Sequence, residues 1–230
     1  MRTRNKLLAV LCVVFLVAGV IMGPVTVASA ITLNCSSLAD IQFEGAGNTF
    51  SFLTNTDGYA FKIITESGGN SSLGLMGTIT GPFTIGDITS YPFPFPILPL
   101  ERAPVTGTGM LTIFDADRIP LTATVNWGSI YTFYASGALN TEGLLNMTVI
   151  AYSGENPDLK ALKSAGQAVN TVTFQFAPSK SLTALTTELT NSTSYSTTIT
   201  FVPAPATVLL LGSGLVGLGL LRFRRREKKS

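Results

Sequence analysis

Between residues 31 and 201 apolar positions recur at short spacing, every second residue or in brief β-branched runs, which is the pattern of strands with one buried face. Phe50–Thr54 and Tyr59–Thr65 show it first, and Asn55-Thr-Asp-Gly58 between them is a hairpin signal. After the turn Gly68–Ser72, the runs Leu73–Thr80 and Phe83–Ile88 continue it, divided by Gly81-Pro82. Ser90–Leu100 breaks the pattern with prolines at 92, 94, 96 and 99, none of which can donate to a central ladder. That stretch reads as an extended surface loop, either an arm for a partner or a crossover laying Phe93, Phe95 and Ile97 over the core. Val105–Phe114, Leu121–Trp127, Ile130–Tyr134 and Leu144–Tyr152 then follow as a meander, with Gly128-Ser129 and Ser136–Gly143 as connections. Strands resume at Val169–Phe176, Leu182–Leu189 and Tyr195–Val202.

One segment has helical chemistry. In Asn156-Pro-Asp-Leu-Lys-Ala-Leu-Lys-Ser-Ala-Gly166 the Asn caps, Pro takes the first helical position, Asp158 meets the positive end of the dipole, and Gly166 terminates. The expectation is therefore an all-β domain over 31–201, an antiparallel β-sandwich of jelly-roll or immunoglobulin-like type with one short helix. Ser and Thr crowd Ser179–Thr200, which suits solvent-facing strand positions or a stalk. The regular Leu182, Leu185, Leu189, Tyr195 and Ile199 favour strands.

The two ends carry a different pattern. Arg2, Arg4 and Lys6 precede an apolar run from Leu7 to Met22, and Ala28-Ser-Ala30 is a small-x-small cleavage site, so residues 1–30 read as a secretory signal peptide. At the other end, Pro203 and Pro205 open an apolar run over Ala204–Leu221 that Arg222, Arg224, Arg225, Arg226, Lys228 and Lys229 close. As a helix those 18 residues rise about 27 Å, a minimal bilayer span.

This tripartite end, 202–230, resembles the PEP-CTERM sorting domain of Gram-negative bacteria: a proline motif (Val202, Pro203, Ala204, Pro205), a glycine-rich transmembrane stretch over about 204–221, and a basic tail at 222–230. Ala204 stands where that family usually has Glu. The resemblance implies export, a membrane anchor that is at least transient, recognition by an exosortase-type processing enzyme, and a destination at the cell surface or in the extracellular matrix. It also implies a setting of exopolysaccharide and biofilm. An ordinary single-pass anchor held by the positive-inside rule gives the same orientation. Both readings put 31–201 outside.

Charge changes once the ends are set apart. The whole chain is formally +2, yet residues 31–201 hold six basic and twelve acidic side chains, so the β domain is acidic and offers nucleic acid no basic patch. Cys35 is the single cysteine of this region, which excludes an internal disulfide there. It is a free thiol, an intermolecular link or a small hydrophobe. With no histidine anywhere, Ser-His-Asp and Cys-His catalysis and His-containing zinc sites are excluded, and no cofactor motif is present.

Candidate chemistry is sparse. Asp115 and Asp117 share a face if extended and are potential oxygen ligands for a hard cation, although turns use Asp heavily and a full site needs about six oxygens. Trp127 and Tyr131 lie in the most aromatic stretch; exposed they would stack on sugar rings, buried they are core. The first functional expectation is a non-enzymatic structural or adhesive protein of the cell envelope, the second a carbohydrate-binding module, the third a surface hydrolase.

Overall fold

The computed structural model describes residues 29–91, 100–135 and 138–202. The expected leader up to Ala28, the proline-rich stretch 92–99, and everything from Pro203 on, including Ala204, Pro205, the expected span 204–221 and the basic tail, lie outside the described residues. No helix among the described residues is long and apolar enough to cross a membrane.

Fourteen strands and two α-helices make up the described chain. The first half holds β1 (Ile31–Ser37), β2 (Ile41–Glu44), β3 (Thr49–Phe52), β4 (Phe61–Ser67), β5 (Met76–Thr80), β6 (Phe83–Ile85) and β7 (Thr89–Tyr91). The second holds β8 (Leu100–Thr106), β9 (Thr108–Phe114), β10 (Pro120–Ala135), β11 (Ala138–Ala151), α1 (Pro157–Ala165), β12 (Gln167–Phe176), α2 (Leu182–Thr187), β13 (Thr190–Thr193) and β14 (Tyr195–Phe201).

Eight of these strands close on themselves. Each neighbour in the order β11-β12-β14-β1-β4-β5-β9-β10 pairs antiparallel with the next, and β10 pairs back onto β11, so the circuit is a barrel with no free edge. The strands are tilted. Stepping from partner to partner round the circuit, Pro120 leads through Phe114, Met76, Lys62, Ser36, Ser196, Thr173 and Glu142 back to β10 at Tyr131 rather than to Pro120. The all-β antiparallel expectation holds, but the strands close into a barrel where a sandwich was anticipated. The two architectures demand the same alternation of buried and exposed positions. It is the β10–β11 pairing that separates them.

Alternation fills the interior. Ile31, Leu33 and Cys35 of β1, Leu111 and Ile113 of β9, Leu121, Ala123 and Val125 of β10, and Tyr195, Thr197, Ile199 and Phe201 of β14 are all buried. The interior is not wholly apolar, since Asn170 and Thr197 are buried and hydrogen-bonded to each other through their side chains.

The connections divide by end. Where β1 starts and β14 finishes, Ile31 pairs with Phe201, and the links at this end are residues 68–75, 115–119 and 152–166, the last carrying α1. The links at the opposite end are longer: 38–60, 81–107 and 177–194 carry β2, β3, β6, β7, β8, α2 and β13. There β8, β6, β3, β2 and β13 extend the sheet from the second half of β10, beginning at the Ser129–Pro104 pair. Phe43, Phe50, Phe52, Phe83, Trp127, Phe174, Phe176 and Tyr195 pack beneath them, with ring centroids 4.7 Å apart for Phe50 and Trp127 and 5.0 Å for Phe52 and Tyr195. Aromatic packing of this density supplies a large share of the apolar burial.

Local departures from the sequence reading have identifiable causes. Gly128-Ser129 is no turn: β10 runs through it with a bulge between Trp127 and Ser129, and residues 138–143 belong to β11. Leu182–Thr187 is helical rather than extended. Ser181 caps it by accepting from the Ala184 N–H, and the buried Glu101 carboxylate of β8 accepts from the Thr183 N–H and hydroxyl. The Thr186 and Thr187 hydroxyls donate to carbonyls one turn back, which lets threonines occupy a helix they do not intrinsically favour. The capped helix at 157–165 forms as its sequence specifies, with Asn156 accepting from the N–H groups of Asp158 and Leu159.

Candidate functional site

Of the residues singled out for sugar stacking, Trp127 is 5% exposed, packs on Phe50, Phe52 and Phe83, and donates its indole N–H to the Ser129 carbonyl at 3.0 Å. It presents no face to a sugar and belongs to the core. Tyr131, four residues on in β10, is half-buried. Ala30 and Val202, the described residues that flank the barrel where the sequence leads one to expect a cleavage site and a sorting motif, are both exposed.

Asp115 and Asp117 do not converge on a cation position. Asp115 is buried in the turn between β9 and β10, where its Oδ1 accepts from the N–H groups of Asp117 (3.0 Å) and Ile119 (2.7 Å) and its Oδ2 accepts from the Tyr152 hydroxyl (2.8 Å). Both oxygens are engaged within the protein, so this carboxylate organises a turn. Tyr152 is held neutral: burial, then the hydrogen bond to Asp115, pushes its phenol up to about 12. No group of three His, Cys, Asp or Glu able to hold a metal occurs among the described residues.

A second buried carboxylate anchors the neighbouring loop. Asp158, at the start of α1, accepts through Oδ2 from the N–H groups of Asn70 (3.2 Å) and Ser71 (2.7 Å) and from the hydroxyls of Ser71 (2.7 Å) and Ser72 (3.2 Å). Asn156 adds a bond from its Nδ2 to the Ser71 carbonyl at 2.8 Å. Burial alone would raise the Asp158 carboxyl, but the hydrogen bonds from Ser71, Ser72 and Asn70 outweigh it and hold the group below the ordinary carboxylate value. The Ser71 hydroxyl lies between the Asp158 carboxylate and the Asn156 amide oxygen, so the cluster latches a loop to a helix.

Between these two anchored loops the outer wall of the barrel carries a groove of about 630 Å³. Its floor is formed by Met76 of β5 and Phe114 of β9, outward-facing partners in register. Tyr59 folds over Phe114 edge-on, with centroids 5.8 Å apart, and both rings are only half-buried. Asp57 and Arg118 stand exposed on the rims, and Leu73, 63% exposed, closes one side. The Asn55–Gly58 turn that places Asp57 forms as its sequence specifies: Asn55 Oδ1 accepts from the N–H groups of Asp57 and Tyr59, and Gly58 takes φ +84°.

Sequence reasoning missed this groove because its residues come from three separate connections. One signal was available. The hairpin Phe114-Asp-Ala-Asp-Arg-Ile119 closes through the Arg118 N–H to the Asp115 carbonyl, and Arg118 has φ +62° at the position where such loops ordinarily take glycine. No family model, no curated protein and no solved structure matches the chain.

Proposed function

We propose that this chain is an exported protein of the cell envelope or extracellular matrix, sorted through residues 202–230 by an exosortase-type enzyme, with a structural or adhesive β domain in an exopolysaccharide setting. The carrying observation is the order of proline motif, glycine-rich apolar run and arginine cluster after Phe201, matched by a leader with a small-x-small site before Ile31. The barrel supports this arrangement. Ile31 and Phe201, the first and last strand residues, pair with each other, while Ala30 and Val202 beside them are exposed. Cleavage at either junction would therefore remove a terminal segment and leave every rung of the barrel in place.

Mass spectrometry of both ends of the mature protein, with localisation of the cleaved form, tests the proposal. A mature chain starting at Ile31 and truncated within or after Val202–Pro205 is the expected result. Ala204→Glu should increase processing, and replacing Arg222, Arg224, Arg225 and Arg226 with neutral residues should impair retention. If the C-terminus stays intact in wild type and in Ala204→Glu, in a host with active exosortase, the sorting reading fails and a permanent anchor takes its place.

A further inference from the structure

We propose that the outer-wall groove lined by Tyr59, Met76, Phe114 and Arg118 receives the proline-rich segment 92–99 of a second copy of this chain, so that copies join head to tail. The lining sets Asp57 and Asp115 against Arg118, so it has no positive excess for an anion, and Asp115 commits both oxygens to the protein itself. Its floor and one side are apolar, from Met76, Phe114 and the exposed Leu73, with the Tyr59 ring edge-on to Phe114. The occupant that suits such a surface is apolar and uncharged.

The segment Pro92-Phe-Pro-Phe-Pro-Ile-Leu-Pro99 has that character. It carries no charged side chain and holds the spacing Pro96-x-x-Pro99. Sequences of this kind favour the polyproline II form, which aromatic-lined grooves accept at low ordering cost. Prolines have no N–H and the polyproline form makes no internal hydrogen bonds, so the segment presents mainly carbonyl acceptors. Arg118 is the matching donor. Within the described residues its guanidinium makes no hydrogen bond or ion pair. It also holds a left-handed backbone position at a cost that glycine would not incur, so its side chain has a use that the turn does not explain.

The arm cannot reach the groove of its own chain. Tyr91 and Leu100 pair at the base of the segment, and the next residue, Glu101, pairs with Thr132 in the second half of β10. Phe114 of the groove pairs with Pro120, where β10 begins. From Pro120 to Thr132 the strand runs about 40 Å at ~3.3 Å per residue, and a tilt of about 45° still leaves roughly 28 Å of that along the barrel axis. Residues 92–99 leave and return to one paired base, so they extend about 14 Å beyond it at most, half their length at ~3.5 Å per residue. One arm and one groove at opposite ends of β10 make a heterologous contact, which repeats in the same direction from copy to copy. This assembly goes beyond the sorting reading and uses none of residues 202–230.

The test uses the purified full chain in detergent. Sedimentation at rising concentration should show dimers and then larger species, and an excess of synthetic peptide of residues 90–100 should return them to monomer. Titrated calorimetrically, that peptide should bind with Kd about 100 µM or tighter and with an affinity that added salt leaves unchanged. A peptide with alanine at its four prolines should bind at least tenfold more weakly. Phe114→Thr, which keeps a strand former at an outward position, and Arg118→Gly should each lose at least tenfold in peptide affinity. Arg118→Gly should do so with its melting temperature level or raised, which separates a lost contact from a lost fold. A Phe114→Thr chain mixed with a chain carrying Pro94→Ser, Pro96→Ser and Pro99→Ser, each monomeric alone, should form a pair that grows no further. No peptide binding at about 1 mM, oligomers that excess peptide leaves intact, equal binding of the alanine peptide, or full affinity in either groove variant would each overturn the proposal. Peptide binding does not depend on the fate of the tail, so failure here leaves the sorting proposal standing.

Discussion

Tyr152 donates its phenolic proton to Asp115 at 2.8 Å, and the same oxygen accepts the Asn156 N–H at 2.9 Å. One hydroxyl thus joins the β9–β10 turn to the cap of α1. Tyr152→Phe would leave the buried Asp115 Oδ2 and the Asn156 N–H without their partner while keeping the ring's packing. The expected loss is about 1–3 kcal/mol, the scale for stranding a buried polar group, read from urea midpoints of wild type and variant. Equal midpoints would show that the bond contributes nothing net.

Acid should loosen the loop that Asp158 holds. Its folded-state value lies below the ordinary 3.8, so the unfolded chain takes up a proton first as pH falls. The stability this group contributes is complete above the unfolded value and is lost as pH drops through the folded one. Urea unfolding at pH 7, 5 and 3 should show the decline concentrated at the acid end. Asp158→Asn should be less stable at pH 7, because a neutral amide oxygen in the place of Oδ2 accepts these bonds more weakly than a carboxylate does, and it should lose less on acidification. A wild type and an Asn variant with parallel pH profiles would refute the assignment.

Where a structural feature depends on neighbouring residues, the sequence displays it. Asn156 and Gly166 bound α1, and Asn55 and Gly58 build their turn. Closure depends on residues far apart. The register that pairs Thr122 with Ala151 and Ile31 with Phe201 leaves no local trace, and a barrel stave and a sandwich strand present the same alternation. Helix α2 was misread for a different reason: Leu182, Leu185 and Leu189 stand three and four apart, a helical spacing, but the surrounding threonines disfavour a helix, and Glu101, from β8, supplies the deciding hydrogen bonds. The groove shows the same limit at the level of function: Tyr59, Met76, Phe114 and Arg118 meet only through the pairing of β4, β5 and β9.

Cys35 faces the barrel interior at 1% exposure, and burial pushes its thiol up to about 12. A thiol so placed is neither nucleophilic nor accessible. In a Cys12→Ser background, Ellman's reagent at pH 8 should leave the native protein unlabelled and react with one equivalent once urea unfolds it. Rapid native labelling, or a reducible dimer on a gel, would place this cysteine at a surface and contradict the register of β1.

Two glycines should respond in opposite degree to the same methyl group. Gly58 has open space around its Cα and a φ of +84°, so Gly58→Ala meets only backbone strain, about 1 kcal/mol. Gly77 pairs with Phe61 across β4 and β5, and a Cβ there would come within 2.3 Å of the Thr112 carbonyl oxygen and 2.5 Å of the Phe61 ring. Overpacking of that kind typically costs about 1–3 kcal/mol, and more where backbone must shift. The nearest obstacle at Gly77 is a ladder carbonyl, which cannot rotate aside as a side chain would. Phe61→Leu should therefore fail to rescue Gly77→Ala, and the double variant should be less stable than either single one. Thermal melts of the four proteins check this. Recovery of the Gly77→Ala melting temperature in the double variant would show that the ring, and not the β5–β9 ladder, sets the limit.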